Sequence, residues 1–172
     1  MLPSRCAVRP NSDALSPLLW QVNRDTALCI AQTAEDIPSV ESFLFFSAKS
    51  APPFVGPGYL DSKIQVERAL RLSPLRHVIF RPGLIYSDDN PITMGAAFGI
   101  TAFDHLMKKL DPMLPSTAQT MASGLRDTYH AEPLNVDTVA QAVVQATFKA
   151  AKGTYDPEAI LELSQEANYW RP

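Results

Sequence analysis

The sequence predicts an α/β fold built on a parallel sheet, and three observations carry that expectation. Two short apolar runs, Ser42 to Ser47 (SFLFFS) and His77 to Arg81 (HVIFR), are too brief for helices and read as buried parallel strands. Segments of helical periodicity alternate with them, in the order helix, strand, loop, helix, strand, helix. At 172 residues, with 46% hydrophobic and 19% charged, the chain is long enough to bury one core and too apolar to stay unfolded.

Each element has its own warrant. Residues 1–20 place Pro3, Pro10 and Pro17 among Arg5, Arg9 and Asp13. With no apolar h-region and no sustained Arg-rich stretch, they are expected to form a disordered leader or a segment unrelated to the fold, which then spans residues 21–172. Gln21 to Thr33 spaces Val22, Ala27, Leu28, Ile30 and Ala31 as a loose helix. Ala51 to Gly58 holds Pro52, Pro53, Gly56, Pro57 and Gly58 and reads as a loop. The helix expected over Tyr59 to Leu72 turns Leu60, Ile64, Val66 and Leu70 inward, with Asp61, Gln65, Glu67 and Arg68 to water.

The second strand stops at Pro82-Gly83, and a helix is expected over Met94 to Leu110, weakened by Gly95 and Gly99 by about 1 kcal/mol each. Its Met94, Phe98, Phe103 and Met107 read as packing residues, and Lys108-Lys109 as an ordinary helix end. Asp111 to Thr128, polar and broken by proline, reads as loop. Asn135 to Ala151 gives the clearest helix, capped by Asn135, lined by Val136, Val139, Ala140, Val143 and Phe148, and stopped at Gly153. Asp156-Pro157-Glu158 opens a last short helix with proline at its favoured first position. Only two strands emerge from this pattern, and a two-stranded sheet is marginal by itself.

Several function classes are excluded. A net charge of −3 offers no electrostatic grip on nucleic acid. The longest weakly polar run, Ile92 to Phe103, falls short of the roughly 20 apolar residues that span a bilayer. Cys6 and Cys29 form neither a disulfide framework nor a metal site, which makes a reducing compartment the default. His77, His105 and His130 lack metal-ligand spacing. Asp88-Asp89 reads as a solvated loop after a strand.

The chemistry concentrates in Tyr59-Leu60-Asp61-Ser62-Lys63. A tyrosine and a lysine four apart on a helix share one face. There the ammonium can stabilise the phenolate and draw its pKa down from about 10, which makes tyrosine a usable general acid or base. Ser47 ends the strand before this helix, with Ser50 close enough to compete, and Arg81-Pro82-Gly83 ends the strand after it. The carboxyl ends of parallel strands are where open α/β sheets put their catalytic groups. No Gly-x-Gly-x-x-Gly or Gly-x-x-Gly-x-x-Gly occurs, so the usual dinucleotide-binding turn is missing from the sequence.

On FLFFSAKS, GPGYLDSKIQVERAL, HVIFRPGLIYSDD, PLNVDTVAQAVVQA and GTYDPEAILEL, the chain resembles the short-chain dehydrogenase/reductase superfamily. The likeness is to its atypical or extended group of NAD-dependent epimerase/dehydratase-like proteins, and it covers about Gln21 to Ala167. The resemblance implies an incomplete Rossmann-like, doubly wound sheet that lacks the N-terminal nucleotide-binding half. It implies Tyr59 as catalytic acid/base and Lys63 as the residue that tunes it and holds the nicotinamide ribose. Ser47 becomes the hydroxyl that orients substrate, and Arg81, Pro82 and Gly83 the strand end bordering the nicotinamide. It further implies NAD or NADP as cofactor in a complete homologue and a small-molecule substrate. Through dehydrogenase-like members tied to coenzyme Q, it implies a mitochondrial setting, a link to quinone biosynthesis and association with a mitochondrial protein complex. Two rival expectations stand beside the enzyme: a non-catalytic scaffold or assembly subunit, in which the absent glycine turn is immaterial, and a truncated gene product without activity.

Overall fold

The computed structural model describes residues 21–50, 58–110 and 133–166. Within it the chain forms two compact units, one ending at Phe80 and rejoined by Ala151–Tyr155, the other made of Arg81–Ala150 and the residues from Asp156 onward. The expected leader over residues 1–20, most of the Pro/Gly loop before Tyr59, the loop over Asp111–Thr128, and His130 lie outside the described residues.

The first unit is a parallel sheet with helices. A π-helical turn, Gln21–Asp25, runs into α1 (Thr26–Glu35), and the Arg24 guanidinium bridges the Asp25 carboxylate at 2.6 Å and the Gln65 amide oxygen at 3.1 Å. β1 (Ser42–Phe46), α2 (Gly58–Leu72) and β2 (Arg76–Phe80) follow, and the late segment β5 (Gly153–Tyr155) returns to complete the sheet. The order is β1-β2-β5, all parallel, with Phe46 level with Phe80 and Phe80 level with Tyr155. In this sheet the expected two strands are joined by a third, the short GTY segment, which the sequence pattern did not reveal. One ring from each strand forms a row, with centroids 5.7 Å apart from Phe46 to Phe80 and 5.5 Å from Phe80 to Tyr155.

The core gathers Ala31 of α1, Phe45 of β1, Val66 and Leu70 of α2 and Ile79 of β2, with Ala27, Leu28 and Phe43 against it. Each fully buried aliphatic side chain here is worth about 1.5–3 kcal/mol. Two expectations for α2 need correction. Glu67 does not face water: it is 1% exposed, and its carboxylate meets Arg71, one turn on, at 3.2 Å. Arg71 also reaches the Thr154 hydroxyl at 3.4 Å, so the buried charge is paired. Leu60 and Ile64 are only half-buried, while Ser62 is buried in their stead. Cys29 is disulfide-bonded, against the reading that the cysteines give no disulfide framework and that a reducing compartment is the default.

The second unit contains β3 (Ile85–Tyr86), α3 (Pro91–Leu110), β4 (Leu134–Asn135), α4 (Val136–Phe148) and α5 (Pro157–Gln165). β3 and β4 pair in parallel over two residues, a ladder not expected from the sequence. α3 starts three residues before the expected Met94, because the Asn90 carboxamide accepts from the N–H groups of Ile92 and Thr93 and Pro91 takes the first position. On α3, Met94 and Phe98 are exposed rather than packed, and Phe103 and Met107 lie outside the described side chains.

α4 is capped as expected, the Asn135 side chain accepting from Asp137 N–H at 2.9 Å. Its buried stripe is Val139, Ala142 and Ala146, while Val136, Ala140 and Phe148 face solvent, Phe148 at 82%. The sequence offered two apolar stripes, and the one with small side chains lets α5 pack close with Pro157, Ile160 and Leu163. Gly153 does not stop α4. Ala150 takes the left-handed position after the helix, φ 51°, and Gly153 uses its freedom at φ 118° to open β5. The ion pair Lys149–Glu166 joins the ends of α4 and α5. Among the described residues, no helix is long and apolar enough to cross a membrane.

Candidate active site

The parallel ladder of the first unit continues one bond past β1: Ser47 N–H donates to Phe80 O at 2.7 Å. Strand alternation therefore carries Ser47 to the same side as Phe45, the side covered by α2. Ser47 is 5% exposed, and its hydroxyl oxygen is buried without a hydrogen-bond partner. A buried hydroxyl without a protein partner keeps its hydrogen-bonding capacity unused within the fold.

α2 delivers the other two groups. Tyr59 and Lys63 lie one turn apart near its start, and the turn is tightened where the Ser62 hydroxyl donates to Tyr59 O at 2.6 Å. The Lys63 side chain runs over β1. Its Nζ donates to Phe46 O at 2.8 Å and lies 5.1 Å from the centre of the Phe45 ring and 5.9 Å from that of Tyr59. Burial holds this ammonium below the usual lysine range. Tyr59 itself is half-buried, able to meet both a ligand and the protein.

Lys63 and Tyr59 are thus brought together on α2, and Lys63 reaches the end of β1, where Ser47 follows Phe46 in the chain. Lys63 bonds the carbonyl of the residue just before Ser47 and lies over the face of Tyr59. The partners that sequence reasoning missed are the Phe46 carbonyl and the Phe45 ring. The carbonyl leaves no mark in a sequence pattern, whereas the ring could have been anticipated from the aromatic run beneath an expected lysine. Ser50, the competing hydroxyl, is half-buried. Arg81, Pro82 and Gly83 belong to the second unit, where Arg81 lies 3.8 Å from the Asp156 carboxylate and Pro82 is buried.

The Lys63 ammonium and an orphaned Ser47 hydroxyl are donors suited to a ribose or a substrate oxygen. The sequence has no Gly-x-Gly-x-x-Gly turn. Among the described residues, no group of three or more His, Cys, Asp or Glu is placed to hold a metal ion.

The described residues form an α/β fold with a small parallel sheet. No protein-family model matches the chain.

Proposed function

We propose that this chain carries the proton-transfer side of an oxidoreductase of the short-chain dehydrogenase/reductase type, within an incomplete Rossmann-like sheet. The observation that supports the proposal is Lys63 set over the Tyr59 ring and bonded to the Phe46 carbonyl, next in the chain to the buried hydroxyl of Ser47. The site acts on a small molecule bearing a hydroxyl or carbonyl. Ser47 Oγ holds the substrate oxygen, and the Tyr59 phenol gives it a proton or takes one. Lys63 supplies positive charge over the ring of that tyrosine. The mitochondrial setting and the link to quinone biosynthesis rest on family resemblance.

The test is turnover and cofactor binding by the full chain. Calorimetric titration with NADH and NADPH is paired with a carbonyl-reduction assay, and Tyr59→Phe is expected to abolish turnover while leaving the unfolding midpoint nearly unchanged. Turnover that survives this substitution removes Tyr59 from the proposed role. A second reading, a scaffold that keeps the fold without turnover, is favoured by the missing phosphate-binding turn. No heat and no turnover at millimolar dinucleotide would decide for it.

A further inference from the structure

Among its described side chains, the longest helix of the second unit leaves large apolar groups in solvent. Of the described α3 side chains only Ala97 is buried, while Ile92, Phe98 and Leu106 are 82%, 76% and 54% exposed. Ile92, Gly95, Gly99, Ala102 and Leu106 recur at steps of three, four, three and four, so they form one stripe, and every one of them is exposed. Phe98 borders it.

Among the described residues, nothing packs against the two glycines. Mid-helix glycine is disfavoured next only to proline, and neither residue has a positive φ that would require it. A methyl group at either position would meet nothing within 4 Å. A bare backbone on an exposed helix face permits close approach by a second helix.

We infer that α3 is the contact between two copies of this chain, packed antiparallel about Gly99. In that arrangement Ile92 lies level with Leu106 of the second copy, and the glycines let the axes come close. The charges select the direction. Exposed Asp88 and Asp89 precede the helix, and exposed Lys109 sits in its last turn. Asp89 is ten residues before Gly99 and Lys109 ten after it, so antiparallel pairing sets each aspartate beside the other copy's lysine, twice by symmetry. Parallel pairing would oppose like charges and align the helix dipoles unfavourably. A lipid surface is a poorer occupant, because acid at one end and base at the other is not the row of lysines that seats a helix on anionic membranes. This inference is independent of the proposed chemistry.

Sedimentation equilibrium of the full chain tests it, over ~1 to ~100 μM at low salt, where rim charges act most strongly. A monomer–dimer equilibrium is expected. Asp89→Lys and Lys109→Asp should each raise its Kd by about tenfold or more, and the double variant should restore it. Gly99→Leu should leave the far-ultraviolet spectrum intact and remove the dimer. A chain monomeric throughout, a dimer indifferent to both charge reversals, or reversals that the double variant does not rescue would overturn the inference. So would a monomer that co-sediments with phosphatidylserine vesicles in place of pairing.

Discussion

Replacing Ser47 by alanine should make the protein more stable. The side chain is 5% exposed and its oxygen has no hydrogen-bond partner. An unsatisfied buried polar group costs about 1–3 kcal/mol. Deleting one oxygen leaves a void of only about 10–15 Å³, for which the cavity cost is about 0.3 kcal/mol. The net expectation is a gain of about 1 kcal/mol or more, a rise in Tm of about 2–4 °C for a chain of this size. Ser62 is the control, also buried, but with its hydroxyl donating to Tyr59 O at 2.6 Å. Ser62→Ala loses a bond worth about 0.5–1.5 kcal/mol and regains about 0.5 kcal/mol in helix propensity, so it should lie at or just below wild type. Thermal unfolding followed by circular dichroism ranks the three proteins. A Ser47→Ala variant that melts below wild type would show that the hydroxyl is satisfied in the folded state, and the case for Ser47 as an unspent donor would collapse. A stabilised variant that also loses turnover is the pattern expected of a group kept for chemistry.

Three further expectations concern other sites. Lys63 titrates below 10.5 in the folded protein because it is buried, so the unfolded chain binds the extra proton in the window between the two values. Wild type should therefore gain on Lys63→Met as pH climbs toward 10.5, read as a converging or crossing pair of urea midpoints; a constant difference contradicts this. His77 is pushed below 6.5 by burial and then by the Lys152 and Arg71 charges, so its neutral form contributes stability above 6.5 that is lost as pH falls through the depressed folded value. His77→Gln should flatten the acid side of the stability profile, and an unchanged slope would clear His77 of that role. Gly95→Ala should raise protomer stability, measured at high dilution, by about 1 kcal/mol, since a methyl group there meets nothing within 4 Å; a loss would reveal crowding around the helix.

Legibility in the sequence followed the range of the physics. Tyr59 and Lys63 were readable because one helical turn is a local rule, and Ser47 because it closes an unmistakable apolar strand. Asn90-Pro91 was equally local, a cap followed by the favoured first residue, and it marks the start of α3 better than the apolar pattern beginning at Met94 did. Glu67 was misread because its burial depends on Arg71 reaching the Thr154 hydroxyl, and Thr154 lies on a strand far down the chain. The α4 face was misjudged because Ala142 and Ala146 carry little hydropathy, and only the approach of α5 makes them core. β5 has three residues, too few for any period to register. The orphaned state of Ser47 Oγ is likewise invisible in sequence, being a property of everything that does not reach it.

The aromatic row across the sheet has a bearing on how the molecule assembles. Phe80 is fully enclosed, with Phe46 on one flank and Tyr155 on the other, each supplied by a different strand. A slip of β5 by a single residue would turn its ring to the opposite surface, so Tyr155 acts as a latch that recognises the right alignment. Because that latch is synthesised long after its receptacle, the sheet must wait half-built for its final strand, and the loop-closure entropy of the intervening chain sets how readily the edge locks.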